Sequence, residues 1–110
     1  MAAGAIAKKV LKEIAGTEIL AYVSQVRDVV ATGVDHETLT MEEVEANIAR
    51  CPDQASADKM IEAIDKVRVR GDSCGGVVTC IVRGCPRGLG APVFDKLEAD
   101  LAKVTLNPKP

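Results

Sequence analysis

Apolar positions at the start of the chain recur at helical spacing. Ile6, Val10, Leu11 and Ile14 fall on one side of a helix over Ala2 to Ala15, with Lys8, Lys9, Lys12 and Glu13 turned away. Gly16 stands where a left-handed residue would end that helix. From Thr17 to Val30 the pattern changes to β-branched and alternating. Ile19, Ala21 and Val23 lie on one side and Leu20, Tyr22 and Val26 on the other, which predicts one strand buried on both faces. Ala31 to Leu39 reads as a polar connection. Thr40 and Glu43 form a capping-box pair, and a short helix from Met41 to about Ala49 is expected after it. Pro52 stops that helix, because proline disfavours helical backbone at the residue before it. Met60, Ile61, Ile64 and Val67 mark a longer helix ending near Arg68. A strand over Gly76 to Arg83 and a helix from Val93 to about Lys103, with Phe94, Leu97 and Leu101 on one face, complete the pattern. The order is helix-strand-helix-helix-strand-helix, an α+β chain, with a tail over residues 104–110 that adds no further element.

Composition narrows the picture. The chain has 110 residues, room for one domain and one core, and a compact fold of that size buries about 65% of its unfolded surface. Its 47% apolar content is aliphatic, with one Tyr, one Phe and no Trp. The core is therefore modest, or its main packing partners lie elsewhere. A formal charge of −2 with dispersed basic residues provides no field for nucleic acid or anionic lipid. No apolar run approaches the roughly 18 residues a membrane span needs, and the first residues lack the order of a secretory signal.

Candidate chemistry concentrates between Arg68 and Leu97, which hold six of the nine glycines, three of the four cysteines and the sole phenylalanine. Cys51, Cys74, Cys80 and Cys85 are spaced by 22, 5 and 4 residues, with the one histidine, His36, distant in sequence, so no zinc set is met. Without an export signal the cysteines read as reduced. Gly71-Asp72-Ser73-Cys74-Gly75-Gly76 has the look of a serine nucleophile loop, but Cys74 interrupts it and no base is placed to activate Ser73. His36 reads as a solvated loop residue. The glycine turn with Arg68, Arg70, Arg83 and Arg87 nearby leaves one binding candidate: an anion nest or site wall at Arg70, Gly71, Asp72 and Ser73.

The same stretch carries a longer signal. Gly71-Asp72-Ser73, a variable residue, Gly75-Gly76-Val77-Val78, then Pro86-Arg87-Gly88-Leu89-Gly90, one residue and Pro92-Val93-Phe94-Asp95-Lys96-Leu97 resemble chorismate synthase of the plant or algal type. Ala2 to Lys9 and Cys51-Pro52-Asp53 extend the resemblance to about residues 2–103, leaving 104–110 divergent. It implies one partial domain of a β-α-β sandwich fold. The implied activity is the anti elimination of phosphate from 5-enolpyruvylshikimate 3-phosphate to chorismate in the shikimate pathway of aromatic amino acid biosynthesis. The implied cofactor is reduced FMN, and the implied setting is a plastid homotetramer.

Family members are several times longer than this chain, and their two functional histidines belong to segments preceding Met1. Their flavin contacts flank the matched stretch. The resemblance therefore implies no catalytic or FMN-binding residue within this sequence, and no turnover by the chain alone. The alternative expectation is a non-enzymatic interaction module that associates with full-length subunits.

Overall fold

A computed structural model describes residues 2–89 and 92–106, with Leu106 as backbone only. Four helices and three strands are seen among them: α1 (Ala2–Ala15), β1 (Glu18–Val26), β2 (Val29–Val30), α2 (Met41–Glu45), α3 (Gln54–Val69), β3 (Gly76–Arg83) and α4 (Leu97–Leu106). The mixed α+β class, helix α1 and strand β3 agree with the sequence reading residue for residue. The chain divides into two compact units, one from the two terminal segments and the other Ile19–Arg83.

Within the terminal unit, α1 ends as its spacing predicts. Gly16 takes φ +65°, its amide donates to the Lys12 carbonyl at 3.1 Å, and the Thr17 amide reaches the Leu11 carbonyl at 3.2 Å. None of the fourteen residues of α1 is buried. The last helix starts at Leu97, four residues later than the periodicity suggested. Asp95 adopts φ +53°, which breaks the helical path, and the Lys96 carbonyl accepts from Ala99 and Asp100 to open α4. Phe94 therefore lies outside the helix and is exposed rather than part of an apolar face. The helix continues through residues 104–106, the start of the expected tail. Residues 107–110, like Gly90 and Ala91 of the second glycine turn, lie outside the described residues.

The inner unit is built on a three-stranded antiparallel sheet in the order β2-β1-β3. Gln25 pairs with Val30 and Val26 with Val29. The expected single strand from Thr17 to Val30 is thus two strands folded back at Arg27-Asp28. Arg27 has φ +51°, its amide donates to Gly75, and its carbonyl accepts from the Gln25 side chain at 2.6 Å. Alternation alone gave no sign of this turn, because neither residue is glycine or proline. The expectation of two buried faces is also corrected. Leu20, Tyr22 and Val26 are buried, whereas Ala21 is exposed and Ile19 and Val23 are half-covered.

Two small cores follow. Val26, Ala49, Cys51, Ala57 and Met60 form one, and Tyr22, Leu39 and Val44 the other. Leu39 is buried, so the 31–39 connection is anchored rather than wholly polar. Helix α2 keeps its capping box, with Glu43 donating its amide to Thr40 Oγ1 at 3.3 Å and accepting from the Thr40 amide at 2.9 Å. It ends four residues before Ala49, where an asparagine side chain takes over. Asn47 Oδ1 accepts from the Cys51 amide at 3.2 Å while its Nδ2 donates to the Cys51 carbonyl at 2.6 Å. That local competition with the helix ladder is typical of asparagine. Arg50 then turns at φ +53°, and its carbonyl receives the Val23 amide at 3.0 Å beside β1.

Candidate functional site

The anion-nest candidate lies directly after α3. Each of its amides already has an acceptor. Arg70 donates to Val67 at 3.0 Å, Gly71 to Arg68 at 3.0 Å, Asp72 to Val67 at 3.2 Å, and Ser73 to the Asp72 carboxylate at 2.8 Å. Four successive amides thus serve the helix end and its own turn, and Asp72 adds negative charge there. Gly71 takes φ +69° with open space around it, so its role is to reverse the chain. Two of the nearby arginines are committed elsewhere. Arg68 pairs with Asp65 at 3.0 Å, and Arg83 donates to the Leu39 carbonyl at 2.8 Å and to the His36 carbonyl. The four amides from Arg70 to Ser73 are therefore not free to cradle an anion.

His36 is not a freely solvated loop residue. Its Nε2 is hydrogen-bonded with the Tyr22 hydroxyl at 3.0 Å, the two rings lie 6.1 Å apart, and Arg83 grips its carbonyl. Asp35 ties the same loop, accepting the Glu37 amide at 2.9 Å and the Thr38 hydroxyl at 3.0 Å. Those bonds hold its carboxyl below the ordinary range, the Glu37 amide being the larger influence. Sequence spacing could not reveal the Tyr22, His36 and Arg83 arrangement, since its members come from β1, a loop and β3.

A groove of about 320 Å³ opens beside this loop, lined in part by Thr32, Asp35, Glu43 and Asp53. Its carboxylates are engaged: Asp35 in its turn, Glu43 in the capping box, and Asp53 by the Ser56 hydroxyl. Among the described residues no cluster could hold a metal ion. The four cysteines are unpaired, with Cys51 buried and the other three exposed. Burial pushes the Cys51 thiol above its ordinary value.

The glycines that make the stretch conspicuous have a packing role. A Cβ on Gly76 would stand 2.8 Å from the Gln25 carbonyl oxygen, and one on Gly84 would stand 2.5 Å from that of Gly16, where φ is also +65°. Gly76 at the start of β3 and Gly84 just after its end thus approach other backbone too closely for a side chain. Such requirements fix a sequence pattern without any catalytic duty.

The chain is a member of the chorismate synthase family, whose model matches residues 1–107. It is 66% identical over 109 residues to "Chorismate synthase, chloroplastic" of Capnoides sempervirens, covering 97% of this chain and 24% of that protein. The corresponding protein of Arabidopsis thaliana is 65% identical over 109 residues, with 97% and 25% covered. Chorismate synthase of Synechocystis sp. is 59% identical over 107 residues, with 97% and 29% covered. The chain therefore spans about a quarter of the length of these relatives.

Proposed function

We propose that this chain supplies part of a chorismate synthase subunit and has no turnover by itself. The completed enzyme carries out the anti elimination in which the carbon–oxygen bond to phosphate breaks and a hydrogen leaves another carbon, converting 5-enolpyruvylshikimate 3-phosphate to chorismate. Reduced FMN supplies transient electron donation there without net redox change. In the turn from Arg70 to Ser73 the backbone amides are already engaged, and Arg68 and Arg83 have protein partners, which supports placing the flavin contacts elsewhere. Flavin contacts and acid–base groups fall to the remainder of the subunit. In this reading the chain is one partial domain of the family's β-α-β sandwich. Arg70, Gly71, Asp72 and Ser73 form a wall of the completed site, the working assembly is a homotetramer, and its setting is the plastid.

The observation that carries this reading is the family match over residues 1–107 together with its quarter-length coverage of the relatives. The test is direct: purified chain is incubated anaerobically with reduced FMN and substrate, and chorismate is followed by absorbance. No product above the enzyme-free control is expected. Sustained chorismate formation contradicts the proposal. A second reading, a non-enzymatic module that binds full-length subunits, is favoured by the absence of any buried residue in α1.

A further inference from the structure

Ser73 is the one hydroxyl side chain of this sequence with an arginine three residues before it, and a second arginine stands five before, in Arg68-Val69-Arg70-Gly71-Asp72-Ser73. Every other serine and threonine has an apolar residue, a glycine or a carboxylate at that spacing. The structure separates Ser73 from them again. Ser24 and Thr79 lie in the sheet and bond each other at 2.8 Å, Ser56 is buried against Asp53, and Thr17 is buried with its hydroxyl on the Gly84 carbonyl at 3.2 Å. Thr38 and Thr40 serve the Asp35 turn and the helix cap. Ser73 is exposed, in irregular backbone between α3 and β3.

A kinase that selects basic substrates reads positive charge on the N-terminal side of the acceptor with carboxylates of its own groove, and it takes the peptide extended. The segment around Ser73 meets both needs. Arg70 is exposed, and the Arg68 bridge to Asp65 joins side chains 77% and 52% exposed, so a kinase carboxylate can replace Asp65 at small cost. The bonds to be opened are those that close α3, from the amides of Arg70 and Asp72 to Val67 and from Gly71 to Arg68. They belong to a helix end, where fraying costs least. Gly71 and Gly75 on either side of the acceptor ease the change to extended backbone.

We propose that Ser73 is a phosphorylation site for a protein kinase that reads Arg70 and Arg68. The γ-phosphoryl group of a nucleoside triphosphate passes to Ser73 Oγ. A new phosphorus–oxygen bond forms there as the bond to the departing nucleoside diphosphate breaks, and the hydroxyl proton goes to the kinase's catalytic aspartate. The product adds about −1.5 to −2 charge to a turn that already carries Asp72. Nothing in this depends on the enzymatic reading.

The experiment incubates the purified chain with protein kinase B, which reads arginines at these two spacings, and Mg-ATP, and locates the modified residue by fragmentation mass spectrometry. A synthetic peptide of residues 66–78 serves as the unfolded reference. One phosphoryl group on Ser73 is expected in both, and none in Ser73→Ala. Arg70→Ala should lower the initial rate by roughly tenfold, the loss of one charge contact, and by as much in the peptide, where folding plays no part. Arg87→Ala, beyond the motif, should be labelled as the parent is. Labelling of the peptide but not of the chain overturns the proposal, because the loop is then closed to a kinase. So does the absence of phosphate from both, phosphate on another residue, or an Arg70→Ala peptide modified as fast as its parent.

Discussion

Asp35 illustrates how one side chain organises a loop. Its carboxylate accepts from the Glu37 amide and the Thr38 hydroxyl, and both bonds favour the charged form, lowering its pKa from the ordinary 3.8. A carboxyl lowered on folding stabilises the fold above its unfolded value, and that contribution is lost as pH falls through the lowered one. The Glu37 amide resonance should therefore titrate with a midpoint below 3.8 in an NMR acid series; a midpoint at or above that value would show the bonds absent in solution. The cysteines give a second prediction. Cys51 is fully buried and its thiol is pushed up by desolvation, whereas Cys74, Cys80 and Cys85 are exposed. A maleimide reagent near neutral pH should label three thiols quickly and the fourth only after denaturation. Rapid labelling of four in the native chain would contradict the burial of Cys51. At this scale the sequence was partly legible. Thr40 with Glu43 and Gly16 announced themselves because their partners are local, while the Tyr22 and His36 bond joins residues fourteen apart in sequence.

At the scale of elements, β3 and its two glycines carry the most specific prediction. Gly76→Ala places a methyl against the Gln25 carbonyl oxygen, and Gly84→Ala meets the Gly16 carbonyl while also requiring φ +65°. Each should destabilise the chain by about 1–3 kcal/mol, by strain of the kind overpacking produces. The midpoint of urea unfolding measures it. An Ala variant as stable as the parent would show that β3 does not approach as closely as described. The element pattern explains which boundaries were readable. Helix α1 and strand β3 end at glycines, so their limits could be read from sequence. The break between β1 and β2 falls at Arg27-Asp28, where the turn is held by Gln25 and Gly75 rather than by a turn-forming residue. The start of α4 was obscured because Val93 and Phe94 extend the helical periodicity, while Asp95 takes positive φ and excludes them.

The whole molecule is defined by how much apolar surface it leaves open. Besides the α1 stripe, Val78 and Val82 of β3 and Leu97 and Leu101 of α4 are more than half exposed. In a 110-residue chain with two cores of five and three buried residues, these surfaces need cover from elsewhere. The low aromatic content foreshadowed this, since few large side chains are present to close a core. The family was legible in the Gly71 to Leu97 stretch, but the function of those residues was not. Gly71 reverses the chain and Gly76 and Gly84 admit close backbone, requirements that a motif records only as glycine.

The central claim is that the family's chemistry belongs to the completed subunit and not to this quarter of it. The most direct measurement follows chorismate formation, with reduced FMN and substrate, by the purified chain beside a full-length chorismate synthase such as that of Arabidopsis thaliana. Product is expected from the full-length enzyme and none above the enzyme-free control from the chain. Sustained product from the chain alone would contradict the account.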